Sequence, residues 1–160
     1  MTENPDKQDS RKLTRHYLEQ IKIMQLATSI NDQPWACTVH FYADEGLNFY
    51  WVSRTDRKHS QHIAQNPKVA AAVLVHENTS AEPYVIGISI AGTAELVSEQ
   101  LSEQISQSYI DKLSKDPNLL TDIATTKNLN KFYRLKPTSI VLLDSKNFPD
   151  NPRQEYSLSA

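Results

Sequence analysis

The sequence predicts a mainly β domain, an antiparallel sheet or barrel with helices on its flanks, and three observations lead there. Between Met24 and Val75 the chain runs through the short apolar or alternating stretches MQLATSI, PWACTVHFY, LNFYWVS and KVAAAVLV, each bounded by turn residues. A longer stretch, YVIGISIAGTAELV, carries Gly87 and Gly92 inside it, and glycine within a strand marks a bulge, a barrel corner or close approach by another group. Helical spacing is confined to segments between or outside these stretches.

Taken in order, residues 1–9 are polar and contain proline, which predicts a loose N-terminal tail. Ser10 is placed to cap a helix over 11–23, with Leu13, Tyr17, Ile21 and Met24 on one stripe. Asn31-Asp32-Gln33 is a turn signal. In the strand that follows, Trp35, Cys37, Val39 and Phe41 point one way, and Ala36, Thr38, His40 and Tyr42 the other. Asp44-Glu45-Gly46 then closes a hairpin into LNFYWVS, which gives a three-strand meander. A basic turn opens a helix that ends before Asn66-Pro67. The run KVAAAVLV is apolar throughout after its lysine, as in a strand covered on both faces. HENTSAEP is a polar loop. Helix returns from Ser98 to Lys115, with Leu101, Ile105 and Tyr109 on one face, and a weaker helical stretch covers 118–127. FYRLKP and TSIVLLD read as two final strands split by Pro137, and 149–160 as a polar, proline-rich C-terminal tail. One domain over 10–148 accounts for the rest, with no internal repeat or linker.

The bulk composition excludes several classes. With 160 residues, 39% hydrophobic and 22% charged, the chain is ordinary for one globular domain. A net charge of -2 with scattered Lys and Arg argues against nucleic-acid or polybasic membrane binding. No apolar run has the length of a signal peptide core or a membrane span, so a cytoplasmic location is expected. The single cysteine, Cys37, excludes an internal disulfide framework.

Chemistry-bearing residues concentrate between Ser53 and Ser60, where a strand gives way to a helix. Arg57, Lys58 and His59 stand where helix N–H groups are free, with the Ser53 hydroxyl before them, and a phosphate dianion needs such charge-assisted donors. By composition alone the same turn reads as solvated basic surface. Cys37 on an apolar strand reads as a small buried hydrophobe. His59 and His62 form an H-x-x-H pair without the further ligands a metal needs, so no metal is expected and His62 reads as helix surface. No G-x-S-x-G elbow accompanies the serines. Trp35 and Trp51 read as core or interface aromatics.

The aromatic strand Phe49-Tyr50, the basic turn Arg57-Lys58-His59 and the helix ending in Asn66-Pro67 together resemble the FMN-binding split-barrel family, which includes the pyridoxamine 5'-phosphate oxidases. The resemblance covers residues 20–148. It implies a six-stranded antiparallel split β-barrel with flanking helices and a homodimer with the cofactor site at the subunit interface. Trp35, Phe49 or Trp51 and the long strand would then be buried between subunits. It also implies an FMN phosphate grip. Counted back from Asn66-Pro67, the family's Arg-Lys pair falls on Lys58 and His59; counted forward from Tyr50, on Arg57 and Lys58. Lys58 is common to both. The strand from Trp35 to His40 matches the segment whose backbone lines the flavin, which makes Ala36, Cys37, Thr38 and His40 ring-contact candidates, and Gly87 falls where the family has a small or amide residue near the flavin. The departures matter as much. No Arg-x-His pair follows Asp144, and Ile105 and Tyr109 occupy helix positions that hold Tyr and Arg in the oxidases. The resemblance therefore implies an FMN-dependent redox step on an unidentified small molecule, not pyridoxamine 5'-phosphate oxidation, and it names no catalytic acid or base. Its alternatives are a deazaflavin in place of FMN, a non-catalytic flavin or haem binding or sensing module, and a scaffold that has lost its cofactor.

Overall fold

A computed structural model of the chain describes residues 5–75, 85–119, 123 and 128–158. Its order is α1 (Pro5–Gln20), β1 (Ile23–Ile30), β2 (Gln33–His40), β3 (Tyr42–Ala43), β4 (Phe49–Arg54), α2 (Lys58–Gln65), β5 (Lys68–Leu74), β6 (Ile86–Leu96), α3 (Glu99–Leu113), β7 (Asn130–Asp144) and β8 (Arg153–Ser157). The strands form one antiparallel sheet in the order β2-β1-β5-β6-β7-β4-β3, with β8 on β7. Among the described residues that makes eight strands rather than six, because the short β3 and the C-terminal β8 join the sheet.

Local chemistry sets both hairpins. Asn31 and Asp32 take positive φ values of 49° and 61°, the geometry a two-residue turn needs between twisted strands. In the β3–β4 turn the Asn48 N–H donates to Asp44 Oδ1 at 2.8 Å. There the residue with positive φ is Leu47, at 63°, not Gly46. The expected three-strand meander does not form: β2 pairs with β1 only, while β4 pairs with β7 and β3. The ends of the sheet path, β2 and β3, are separated in the chain by Phe41 alone. A one-residue link spans only about 7–8 Å between flanking Cα atoms, so the sheet must curl until its two edges meet.

The curl encloses the main core, where Leu26, Phe41, Phe49, Trp51, Leu135 and Ile140 are fully buried. Leu18 of α1 and Ile63 of α2 complete it. Phe49 and Trp51 are therefore interior residues and not interface aromatics. A second cluster forms on the other side of β4 and β7, where Tyr50 and Phe132 pack against Ile105, Tyr109 and Leu113 of α3.

Several expectations give way for identifiable reasons. Helix α1 begins at Pro5, inside the stretch expected as a loose tail, and stops at Gln20. Met24 fits a helical stripe, but it also fits the buried–exposed alternation of β1, and the strand wins. Ser10 is internal to α1 and buried, its carbonyl accepting a bond from Thr14 Oγ1 at 2.8 Å. The C-terminal stretch is not a free tail, since Arg153–Ser157 pairs with β7 and buries Gln154 and Tyr156. FYRLKP and TSIVLLD form one continuous strand. Gly92 faces Pro137 while Ala91 faces Ser139, so the ladder slips at Thr138 and accommodates a residue without an N–H. A Cβ on Gly92 would lie 2.2 Å from the Lys136 carbonyl oxygen, so only glycine fits there. The loop HENTSAEP lies outside the described residues; of 118–127, Asn118, Leu119 and Ile123 are described and helical.

Nor is β5 covered on both faces. Val69, Ala71 and Val73 are buried, whereas Ala70, Ala72 and Leu74 are exposed. The same alternation in β1, β2 and β6 leaves a shallow outer face of Ala36, Thr38, Ala70, Ala72, Ser89 and Ala91. At one end of it Ile23, Leu74 and Leu143 are 46%, 60% and 41% exposed, a run of apolar surface across four neighbouring strands, with Gly87 of β6 between Leu74 and Leu143.

Candidate functional site

Strand β4 ends at Arg54, whose guanidinium pairs with Asp56 across an exposed turn, with 2.9 Å from Nε to Oδ1. The Arg57 N–H donates to the Arg54 carbonyl at 3.2 Å, and α2 starts at Lys58. Arg57 is the N-cap in extended geometry, but its side chain makes no capping bond, and no acidic residue lies in the first turn. The positive end of this helix is thus left without the anion that such ends attract.

Three expected residues meet at this turn. The Lys58 ammonium lies 3.9 Å from the centre of the Trp35 ring. His59 Nε2 is 2.7 Å from Ser53 Oγ on β4. Burial first, then the charges of Arg57 and His62, hold the His59 imidazole below its ordinary value. Arg57 is exposed beside them. Among the described residues no carboxylate pairs with Arg57 or Lys58.

His62 is not helix surface. It is buried, and its Nδ1 lies 3.0 Å from Thr28 Oγ1 of β1. With Asn66 Nδ2 donating to the Ser29 carbonyl at 3.1 Å and Ile63 in the core, it fastens α2 over β1. An H-x-x-H spacing puts one imidazole toward β4 and the other toward β1, one helical turn along, so the two serve different strands. Among the described residues no group of three or more His, Cys, Asp or Glu is arranged to hold a metal ion.

The ring-contact candidates are distributed along β2, an edge strand paired on one side only. Ala36, Thr38 and His40 lie on the outer face, where Thr38 Oγ1 donates to Gln25 Oε1 at 3.0 Å. Cys37 points inward against the core, and burial pushes its thiol up, so only its backbone remains as a contact. His40 Nδ1 is 3.2 Å from Lys115 Nζ. Burial, Lys115 and Lys22, in that order, hold this imidazole below its ordinary value.

Gly87 is not brought to the basic turn. It pairs with Leu74 and Leu143, at the end of the sheet where Ile23 pairs with His40, while Trp35 pairs with Thr28 under α2. Five residues of strand, about 17 Å, separate Trp35 from His40. A Cβ on Gly87 would sit 3.5 Å from the Val73 carbonyl oxygen, an ordinary contact, so the backbone does not demand glycine here.

Two features were not read from the sequence. Trp35 is 41% exposed and serves as a platform for Lys58; its inward phase was legible, its place beyond the core's edge was not. Lys112 donates from Nζ to the Leu18 carbonyl at 2.7 Å and lies 4.0 Å from the Phe41 ring centre. Burial brings its ammonium down to about 8, aided by Lys22 and opposed by Glu19. Nothing in the spacing of α3 signals this, because both partners come from the far end of the chain. A separate cavity of about 450 Å³ lies between α1 and the β3–β4 turn, lined by Arg15, Glu19, Tyr42 and Asp44 among others, and includes none of the basic-turn residues.

The curled sheet is shared with solved structures of other proteins. A haem-binding protein of Mycobacterium smegmatis superposes with a TM-score of 0.71 at 13% identity, over 98% of this chain and 60% of that one. A NimC/NimA family protein of Clostridium acetobutylicum gives 0.63 at 17%, over 92% and 91%. A haem storage protein of Vibrio cholerae gives 0.62 at 17%, over 79% and 88%. At such identities the likeness is one of fold. No curated protein matches the sequence. Among the described residues no helix is long and apolar enough to cross a membrane. The family model described as pyridoxamine 5'-phosphate oxidase matches residues 11–143, from the second turn of α1 to the end of β7. By that match and by its curled antiparallel sheet, the chain belongs to the pyridoxamine 5'-phosphate oxidase-like split-barrel family.

Proposed function

We propose that the chain binds FMN as a homodimer and performs a redox step on a small molecule. The observation that carries this is the uncapped start of α2, which presents Lys58 over Trp35 and the His59–Ser53 pair, neither joined to a carboxylate among the described residues. That donor set suits a phosphate dianion: an ammonium, a hydroxyl, an imidazole and free helix N–H groups. Lys58 is the first ligand, with Arg57 or His59 beside it. The free edge of β2 supplies alternating backbone donors and acceptors for a ring system, from Ala36 and Cys37 to Thr38 and His40. When bound, the flavin supplies the hydride or electron transfer. The chain's own residues hold the phosphate, orient the ring and exclude water.

The bare outer face supports a dimer with the cofactor at the interface. Among the described residues no helix has its apolar residues against it, and a second copy would cover Ile23, Leu74, Leu143 and the small residues beside them. Gly87 lies on this face and is the outlying candidate. The vitamin phosphate is not the substrate on this reading, because Ile105 and Tyr109 are buried against Tyr50 and Phe132 and offer no cation.

A second reading, a haem binding or sensing module, draws on His40, an imidazole exposed on the outer face. It also draws on the two structural neighbours named for haem. Titrating purified protein with FMN, riboflavin, a deazaflavin and haem separates these. FMN bound more tightly than riboflavin, with a reducible yellow absorbance, supports the first reading, and a nicotinamide-oxidation assay then tests for turnover. A Soret band without flavin binding supports the second; binding of neither refutes both.

A further inference from the structure

We infer that the anion site is proton-linked: His59 takes up a proton from solvent when a phosphate dianion binds, with Ser53 positioning the imidazole. This rests on the reading of the basic turn as a phosphate grip and adds its regulation by pH. His59 stands at the second residue of α2 with Nε2 2.7 Å from Ser53 Oγ. The groups that face it are Ser53 from β4, Arg57 from the turn and His62 from α2, which is itself tied to Thr28 of β1, while the Lys58 ammonium lies over Trp35 of β2. Those that carry charge are basic. The acid of the turn, Asp56, is engaged by Arg54. Burial, Arg57 and His62 all lower the affinity of His59 for a proton, so the ligand-free imidazole is neutral at pH 7, below its ordinary value of about 6.5.

A neutral imidazole has one N–H, and a charged one has two. In the ligand-free site a single hydrogen lies between Nε2 and Oγ. An arriving dianion reverses the local charge, and an opposite charge within about 4–6 Å favours the protonated ring. With both ring nitrogens protonated, Nε2–H donates to Ser53 Oγ while the hydroxyl hydrogen and Nδ1–H both remain for the anion, one donor more than the neutral ring leaves in either tautomer. One proton leaves solvent, and no covalent bond forms or breaks. A lysine in the same place would carry its charge at all times; a histidine carries it only when the ligand does. The site thus selects for charge as well as for shape.

Calorimetric titration with FMN near pH 7, in two non-phosphate buffers of different ionisation enthalpy, counts the protons. A large fraction of one proton is expected to be taken up per FMN and none per riboflavin. His59→Gln should bind FMN roughly tenfold more weakly, with the uptake gone. His59→Lys should bind FMN without uptake, and it serves where the glutamine variant folds poorly. FMN binding without uptake by the parent, or undiminished uptake by His59→Gln, overturns the inference and leaves the flavin reading standing. Absence of FMN binding by the parent removes both.

Discussion

Replacing Lys58 with alanine removes an ammonium that the folded chain already holds against an aromatic face. Its loss should weaken FMN binding through the phosphate alone. A hydrogen bond to a charged group contributes about 1.5–3 kcal/mol. Against that stands the contact with Trp35, at 3.9 Å on a ring 41% exposed, a setting where cation–π attraction is about 0.5–1 kcal/mol. The ammonium gives up part of that contact when it turns to phosphate, so the net loss is about 0.5–2.5 kcal/mol, or roughly two- to seventyfold in affinity. Stability should change little, because Lys58 is exposed and Trp35 keeps its place on β2. Fluorescence titration of parent and variant with FMN and with riboflavin is the assay. Riboflavin should bind both equally. If the variant prefers FMN over riboflavin by as large a factor as the parent does, Lys58 does not touch the phosphate and the basic turn is only solvated surface.

Gly92→Ala should destabilise the fold by about 2 kcal/mol or more, since its Cβ would strike the Lys136 carbonyl at 2.2 Å; Gly87→Ala should cost little, and chemical denaturation of the pair tests the contrast. The proposed homodimer should dissociate on Leu74→Glu, a charge placed at a residue 60% exposed on the bare face; sedimentation that shows the parent already monomeric with FMN bound would remove the shared cofactor site. The Lys112 ammonium is at about 8 in the folded chain, against 10.5 for an ordinary lysine. The folded state therefore binds fewer protons over that interval, and stability should rise as pH climbs through it. Lys112→Met should flatten that rise in denaturant midpoints; a parent curve with no rise would contradict it.

What the sequence revealed, and what it hid, follows from the range of the interactions. The turn at Asn31-Asp32, the start of α2 at Lys58 and the start of α3 beside Ser98 are local, and each was legible from neighbouring residue types. Long-range pairing was not. Phe49 pairs with Leu135 and not with β2, a choice that depends on a strand far along the chain. His62 looked like surface because its partner, Thr28, belongs to a strand read separately. Pro137 read as a break because a proline interrupts a flat ladder, whereas Gly92 opposite it provides the slip that absorbs it. The bare outer face was hidden for a different reason. Alanine-rich KVAAAVLV is apolar on both phases, so its pattern cannot say which face a helix covers and which is left open.

The single residue between β2 and β3 has a consequence for how the protein comes together. The β1–β2 hairpin closes across two residues, whereas the sheet that curls between those edges is complete only with β4 paired to β7, across a long loop of chain. The basic turn straddles that seam: Ser53 belongs to β4, while α2 is moored to β1 through His62 and Asn66. An anion held there bridges the two sides of that seam. A ligand that binds only the finished barrel raises its unfolding free energy by RT ln(1 + [L]/Kd), so the melting temperature becomes a gauge of occupancy, and a chain opened along the seam loses site and barrel together.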